Sequence, residues 1–134
     1  MVCIQCGQKT QVINSRPQLR SNQVWRRRQC LECGAVFTTG ERADYSAAWT
    51  VKVKTGQLEP FSRDRLLLSL HRSLQHRPSA LADAAALTET IIKRLQSSVK
   101  DGAIASRTII QVCQVALNRF DKATSVHYQA FHRS

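Results

Sequence analysis

Two matched C-x-x-C pairs, Cys3 with Cys6 and Cys30 with Cys33, constrain this chain more than any other feature. Each pair wraps a tight knuckle that presents two thiolates, and four sulfurs at about 2.3 Å close a tetrahedral shell around one zinc ion. Gly7 and Gly34 each follow the second cysteine of a pair, where positive φ relieves the turn. A rubredoxin-like iron site fits the basic composition poorly, and a redox dithiol has no need of two matched pairs. Five cysteines cannot all pair within one chain, and without a leader or a long apolar stretch the protein is expected in the cytosol. There such motifs are read as metal ligands rather than disulfides.

Between the knuckles lie 23 residues, Gly7 to Gln29, with no sustained helical period. Residues 11–15, 22–25 and 35–39 read as three short antiparallel strands of a zinc ribbon, which buries too little to fold without its metal. Arg26, Arg27 and Arg28 stand just before the second knuckle, with Arg16 and Arg20 upstream and Trp25 beside them. Strand alternation sends Arg26 and Arg28 to one face and Arg27 to the other, so the three cannot share one task. Loss of Arg26 and Arg28 together is expected to abolish duplex binding with zinc content unchanged.

Charge points to the same partner. Twenty Lys and Arg against nine Asp and Glu give +11; four thiolates and one zinc ion lower this to about +9, still a field that attracts polyanions.

From Trp49 the pattern changes. Alternation through Lys54, a turn at Thr55-Gly56 and a return through Glu59 predict a β-hairpin ended by Pro60. Helices follow. Ser62 caps one with Leu66, Leu67, Leu70 and Leu74 in a stripe, and Pro78-Ser79 starts a second with Leu81, Ala84, Leu87, Ile91 and Leu95. After Gly102 a third, capped by Ser106, carries Ile109, Ile110, Cys113, Ala116, Leu117 and Phe120. Cys113 is read as a core residue. A last helix displays Val126, Tyr128 and Phe131. The class is α+β, with residues 1–46 as a DNA-binding ribbon and residues 47–134 as a second domain of one hairpin and about four helices.

Met1-Val2-Cys3-Ile4-Gln5-Cys6-Gly7, Asn14-Ser15-Arg16, the run from Arg26 to Gly34, and Phe37-Thr38-Thr39 together resemble the NrdR family of bacterial transcriptional repressors. Glu59-Pro60-Phe61-Ser62-Arg63, His76-Arg77-Pro78 and Asp121-Lys122 are similar to that family's ATP-cone domain. The resemblance implies a repressor of ribonucleotide reductase genes that binds promoter operators in double-stranded DNA. It also implies one structural zinc per chain, a cone that senses ATP and dATP, a homo-oligomer whose state follows the nucleotide, and a place at the bacterial nucleoid. By the same resemblance Cys3, Cys6, Cys30 and Cys33 are zinc ligands, and Arg16, Arg26, Arg27 and Arg28 face DNA. Lys54 and Arg65 match basic positions of the cone. Val53 occupies the place of another basic residue, with Lys52 as its substitute, and Ser125 stands where Tyr is usual.

Without the resemblance the residues say little about nucleotides. There is no Walker sequence and no G-x-G-x-x-G, and two lysines on a hairpin serve a triphosphate only as point charges. Catalysis is not expected: four thiolates leave zinc no open position, and the carboxylates show no paired spacing. The alternative is an interaction module whose ribbon docks on RNA polymerase or RNA while the cone only oligomerises.

Overall fold

The computed structural model describes residues 1–132 and divides into two units, Met1–Ala43 and Asp44 onward. The first is one antiparallel sheet of β1 (Thr10–Gln18), β2 (Gln23–Cys30) and β3 (Val36–Arg42), in that order. The strands run several residues beyond the short segments the turn signals suggest, so the whole Arg26 to Arg28 run lies within β2. Within the ribbon only Cys3 and Cys30 are buried among the described residues. It has no apolar core of its own.

The second unit opens on a short helix, α1 (Tyr45–Ala48), capped by the Asp44 carboxylate, which accepts from the Ser46 amide at 3.1 Å. Four residues are too few to show a period, so this helix has no sequence signature. Its Tyr45 joins Trp49 and Phe61 in a cluster with ring centroids 4.5 to 6.4 Å apart. The hairpin forms from β4 (Thr50–Lys52) and β5 (Leu58–Pro60), with Val51 opposite Glu59 and Lys52 opposite Leu58. Pro60 is the last residue of β5 rather than its terminator, a position allowed because β5 is an edge strand. A third strand, β6 (Ala103–Ala105), pairs parallel to β4 on its other side. Three residues cannot show an alternation either, and this strand is legible only from its partner.

The helices are α2 (Arg63–Leu74), α3 (Ala80–Leu95), α4 (Ser106–Phe120) and α5 (Lys122–Phe131). Ser62 caps α2 as expected, accepting from the Arg65 amide at 3.2 Å, and Leu66, Leu70 and Leu74 are buried while Leu67 is partly covered. On α3 the inward stripe is Ala80, Ala84, Leu87, Thr88, Ile91, Ile92 and Leu95. Leu81 is instead 65% exposed, because one residue past Ala80 it lies about 100° round the helix. Thr88 tolerates full burial by donating to the Ala84 carbonyl at 2.7 Å. Ser106 is the first residue of α4 and makes no side-chain cap; Ala105 holds the cap position. Cys113 is fully buried, which raises its thiol to about 11.

The last helix differs most from its hydropathy. Thr124, Ser125 and Tyr128 turn inward, and Val126 is 64% exposed, with Phe131 also outside. The hydroxyl of Thr124 has an internal partner, Asp121 Oδ2 at 3.0 Å, so a polar residue packs inward without penalty. Phe131 is covered from outside by the Arg72 guanidinium, 3.9 Å above its ring.

Asp121 also ties the elements together. Its carboxylate caps α5 through the Ala123 amide at 3.0 Å and meets His76 Nε2 at 3.1 Å and Arg77 Nη1 at 3.3 Å, while Arg77 Nε reaches Asp83 at 2.9 Å. The His76 bond, followed by those from Thr124, Ala123 and Arg77, lowers the Asp121 carboxyl to about 2. A carboxylate depressed on folding stabilises the fold above its unfolded value of about 3.9 and loses that contribution as pH falls through the folded value. Thermal melts of the full chain between pH 5 and pH 2 should therefore show Asp121→Asn less stable than wild type at pH 5, with the gap closing toward pH 2. A gap independent of pH would show that the charge of Asp121 contributes nothing, since Asn keeps the cap on the Ala123 amide.

Candidate metal centre and arginine faces

The two knuckles fold back so that the four sulfurs of Cys3, Cys6, Cys30 and Cys33 all lie within 4.8 Å of one another. Backbone bonds fix the loops: the Cys3 amide donates to the Gln8 carbonyl at 2.8 Å, the Cys30 amide to Ala35 at 2.9 Å, and the Leu31 amide crosses to Lys9 at 3.1 Å. Gly7 and Gly34 take φ of 78° and 74°, the left-handed conformation that lets each knuckle turn after its second cysteine.

Cys3 and Cys33 Sγ are 3.7 Å apart, and Cys6 and Cys30 Sγ 3.4 Å. A tetrahedral ion with bonds of about 2.3 Å spaces its ligands about 3.8 Å apart, so the cluster fits one zinc ion with little adjustment. Amides already point at the sulfurs, from Gln5 to Cys3 and from Glu32 and Cys33 to Cys30. Those of Cys33 and Glu32 lower the Cys30 thiol to about 6. At Cys33 the Ala35 amide lowers the thiol, yet partial loss of hydration and the neighbouring sulfurs override it and raise the group to about 12. Four thiols this close do not ionise together on their own. A dication among them is what makes four thiolates stable.

Beyond the knuckles the sheet has two unlike faces. Thr10, Arg26, Arg28, Phe37 and Thr39 lie on one, half buried. There Arg26 pairs with Glu41 at 2.5 Å, an ion pair open enough to solvent to be worth under about 1 kcal/mol. Arg28 reaches Thr10 Oγ1 at 3.4 Å, and its buried Nε has no hydrogen-bond partner. The other face is exposed and carries Asn14, Arg16, Trp25, Arg27 and Thr38 around a shallow cleft of about 270 Å³. Trp25 is 47% exposed. Arg16 and Arg27 have no side-chain partner among the described residues. The alternation along β2 is as the sequence implies. Arg16 proves to share the face of Arg27, and Arg26 and Arg28 share the face engaged within the ribbon.

A bulge in β1 decides this partition. From Thr10 opposite Cys30 to Val12 opposite Arg28 the pairing is regular; it then skips Ile13 and resumes with Asn14 opposite Arg27 and Arg16 opposite Trp25. In unbroken register Ile13 would face Arg27, and Ser15 would face Trp25. The extra residue re-aims the strand and puts Asn14 and Arg16 beside the exposed Arg27 and Trp25. Asn14 and Thr38 stand in the motifs Asn14-Ser15-Arg16 and Phe37-Thr38-Thr39, yet sequence reasoning gave them no site role, because alternation alone does not set them apart from other polar strand residues.

The three residues considered for nucleotide do not converge on a shared contact. Arg65 spends its guanidinium on Glu59 at 3.3 Å. Glu59 lies across from Val51, whereas Lys52 lies across from Leu58, one position on and so on the opposite face of the hairpin. Lys52 and Lys54 are exposed, and Ser125 is buried.

A family profile described as "Transcriptional repressor NrdR-like, N-terminal domain" matches residues 1–41. Proteins named Transcriptional repressor NrdR resemble the full chain. That of Symbiobacterium thermophilum is 35% identical over 133 residues, covering 99% of this chain and 87% of its own length. Those of Streptococcus gordonii and Sinorhizobium medicae are both 36% identical, covering 100% and 99% of this chain and 85% and 84% of theirs. With likeness of this degree running from the four-sulfur ribbon through the last helix, the chain belongs to the NrdR family of transcriptional repressors.

Proposed function

We propose that this chain is a zinc-dependent, nucleotide-responsive repressor that binds promoter operators of ribonucleotide reductase genes and performs no catalysis. The observation that carries the reading is the union, in one short sheet, of a closed four-sulfur site with an exposed arginine face. Zinc supplies the covalent-strength crosslink that an apolar core supplies elsewhere. The ribbon's own side chains do the rest: guanidinium groups neutralise phosphates and read base edges, which carry the sequence information. The relatives' name, transcriptional repressor, supports the same assignment.

One ribbon is too small for tight specific binding, since single small modules bury only about 600 to 1,000 Å² on DNA. Several chains therefore act together, and the second unit, as an ATP-cone, sets their number. ATP or dATP selects between oligomers that match paired half-sites and oligomers that do not. A ligand does this only by binding one assembly better than another. Lys54 and Arg65 are the candidate phosphate contacts, with Lys52 as a substitute for the basic residue missing at Val53; reaching phosphate costs Arg65 only an exposed pair with Glu59.

The test is sedimentation and duplex affinity at fixed salt, without nucleotide, with ATP, with dATP and with both. The duplex is taken from the promoter of the ribonucleotide reductase genes of the same genome. Affinity should differ by about 5-fold to 150-fold between nucleotide states, the range of a typical coupling. Equal oligomer size and affinity in all four would rule the switch out and direct attention to Val53 and Ser125.

A further inference from the structure

We propose that Asn14 and Arg27 are the base-reading pair of the ribbon, Asn14 for adenine and Arg27 for guanine, with Arg16 as their phosphate contact. The inference rests on the reading that the ribbon binds duplex DNA, and adds which face does so and which side chains carry sequence.

Four observations support it. First, the faces differ in availability. Arg26 and Arg28 lie half buried with partners at Glu41 and Thr10, whereas Arg16 and Arg27 stand exposed without a side-chain partner among the described residues. Second, the exposed face is rich in the groups that bond base edges. Asn14, Arg27 and Thr38 form one row across the three strands, and Arg16, Trp25 and Gly40 form the next. Third, the strand partner of Trp25 on β3 is Gly40, which adds no side chain of its own to the exposed face. Fourth, the bulge at Ile13 exchanges an isoleucine for Asn14 opposite Arg27. A bulge kept in the middle of an exposed strand is a device for aiming side chains.

The chemistry follows from the row. Residues directly opposite on neighbouring strands hold their Cβ atoms about 4.5 to 5.5 Å apart, near the roughly 3.4 Å rise between base pairs along one strand. Asn14 and Arg27 thus address neighbouring base pairs. In the major groove, about 12 Å wide, Asn bonds adenine N6 and N7 while Arg bonds guanine O6 and N7, and the exposed face of the three-stranded sheet presents one of each. With that row laid along the groove, Arg16 stands one row away along β1 and falls toward the groove wall, where the phosphates are.

The test is selection from a pool of duplexes with a randomised central segment, using the zinc-loaded full chain and its variants at one salt concentration, with zinc content measured for each. Arg27→Ala should relax the preference for guanine at one position by about 5-fold to 150-fold, the discrimination of a good bidentate pair. Asn14→Ala should relax adenine at the neighbouring position. Arg16→Ala should weaken every sequence alike and lower the slope of log affinity against log salt by about 1. A wild-type chain that selects a motif, with Asn14→Ala and Arg27→Ala selecting the same motif as strongly, would overturn the proposal and leave DNA binding standing. So would loss of the guanine with Arg26→Gln in place of Arg27→Ala. A wild-type chain with no preference among duplexes would overturn the underlying reading, and the base-reading pair with it.

Discussion

Cys30→Ala should reduce bound zinc to well under one ion per chain, unfold the ribbon and abolish duplex binding, while the thermal transition of the helical unit persists. Cys30 is buried, receives amides from Glu32 and Cys33, and supplies one of four sulfurs around a single point. Nothing apolar substitutes for it, since only Cys3 and Cys30 are buried in the ribbon among the described residues. Structural zinc sites of this kind carry about 10 to 16 kcal/mol of apparent binding free energy, and where no other core exists that is the folding free energy. The helical unit draws on a different source, the cluster around Leu70, Ile91 and Leu117. Elemental analysis, amide exchange over residues 1–43 and a thermal melt of the same sample check the expectation. Full protection of the ribbon amides without zinc would refute it.

The reciprocal expectation concerns Leu70. It is fully buried on α2, the helix that packs on both α3 and α5, and Leu70→Ala should destabilise the helical unit by about 2 to 5 kcal/mol. For a unit of this size that lowers Tm by at least about 8 °C. Leu68, two residues away, is 65% exposed, and Leu68→Ala should stay within about 0.5 kcal/mol of wild type. Zinc content should be unchanged in both. The pair compares the same chemical change on the same helix, so a large effect at both positions would mean that Leu68 is covered in solution. An effect at neither would mean that the core of the unit is not the one described.

The metal centre was readable from spacing alone because its determinants are local. Each C-x-x-C fixes two ligands within one turn, and Gly7 and Gly34 mark the backbone reversals that follow. The α2 helix was equally readable, since Ser62 and the leucines at 66, 70 and 74 state its start and its buried face within a few turns. Where hydropathy misled, a neighbour had changed the cost of burial. Thr124 turns inward on α5 because Asp121 accepts its hydroxyl, and Arg72 shields Phe131 from outside. The outward position of Leu81 on α3 has the simpler cause that the alanines at 80 and 84, weak signals by themselves, face inward.

What the amino-acid order determined, then, is that four sulfurs meet, that β2 sends Arg27 away from Arg26 and Arg28, and that an α+β second unit follows. Which face Arg16 joins could not follow from order. A period of two predicts faces only while the register holds, and one skipped residue reverses every side chain beyond it. The bulge at Ile13 is that residue. It depends on how β1 and β2 pair across the sheet, so tertiary structure alone brought Asn14 and Arg16 to Arg27 and Trp25 and gave the ribbon one exposed basic face.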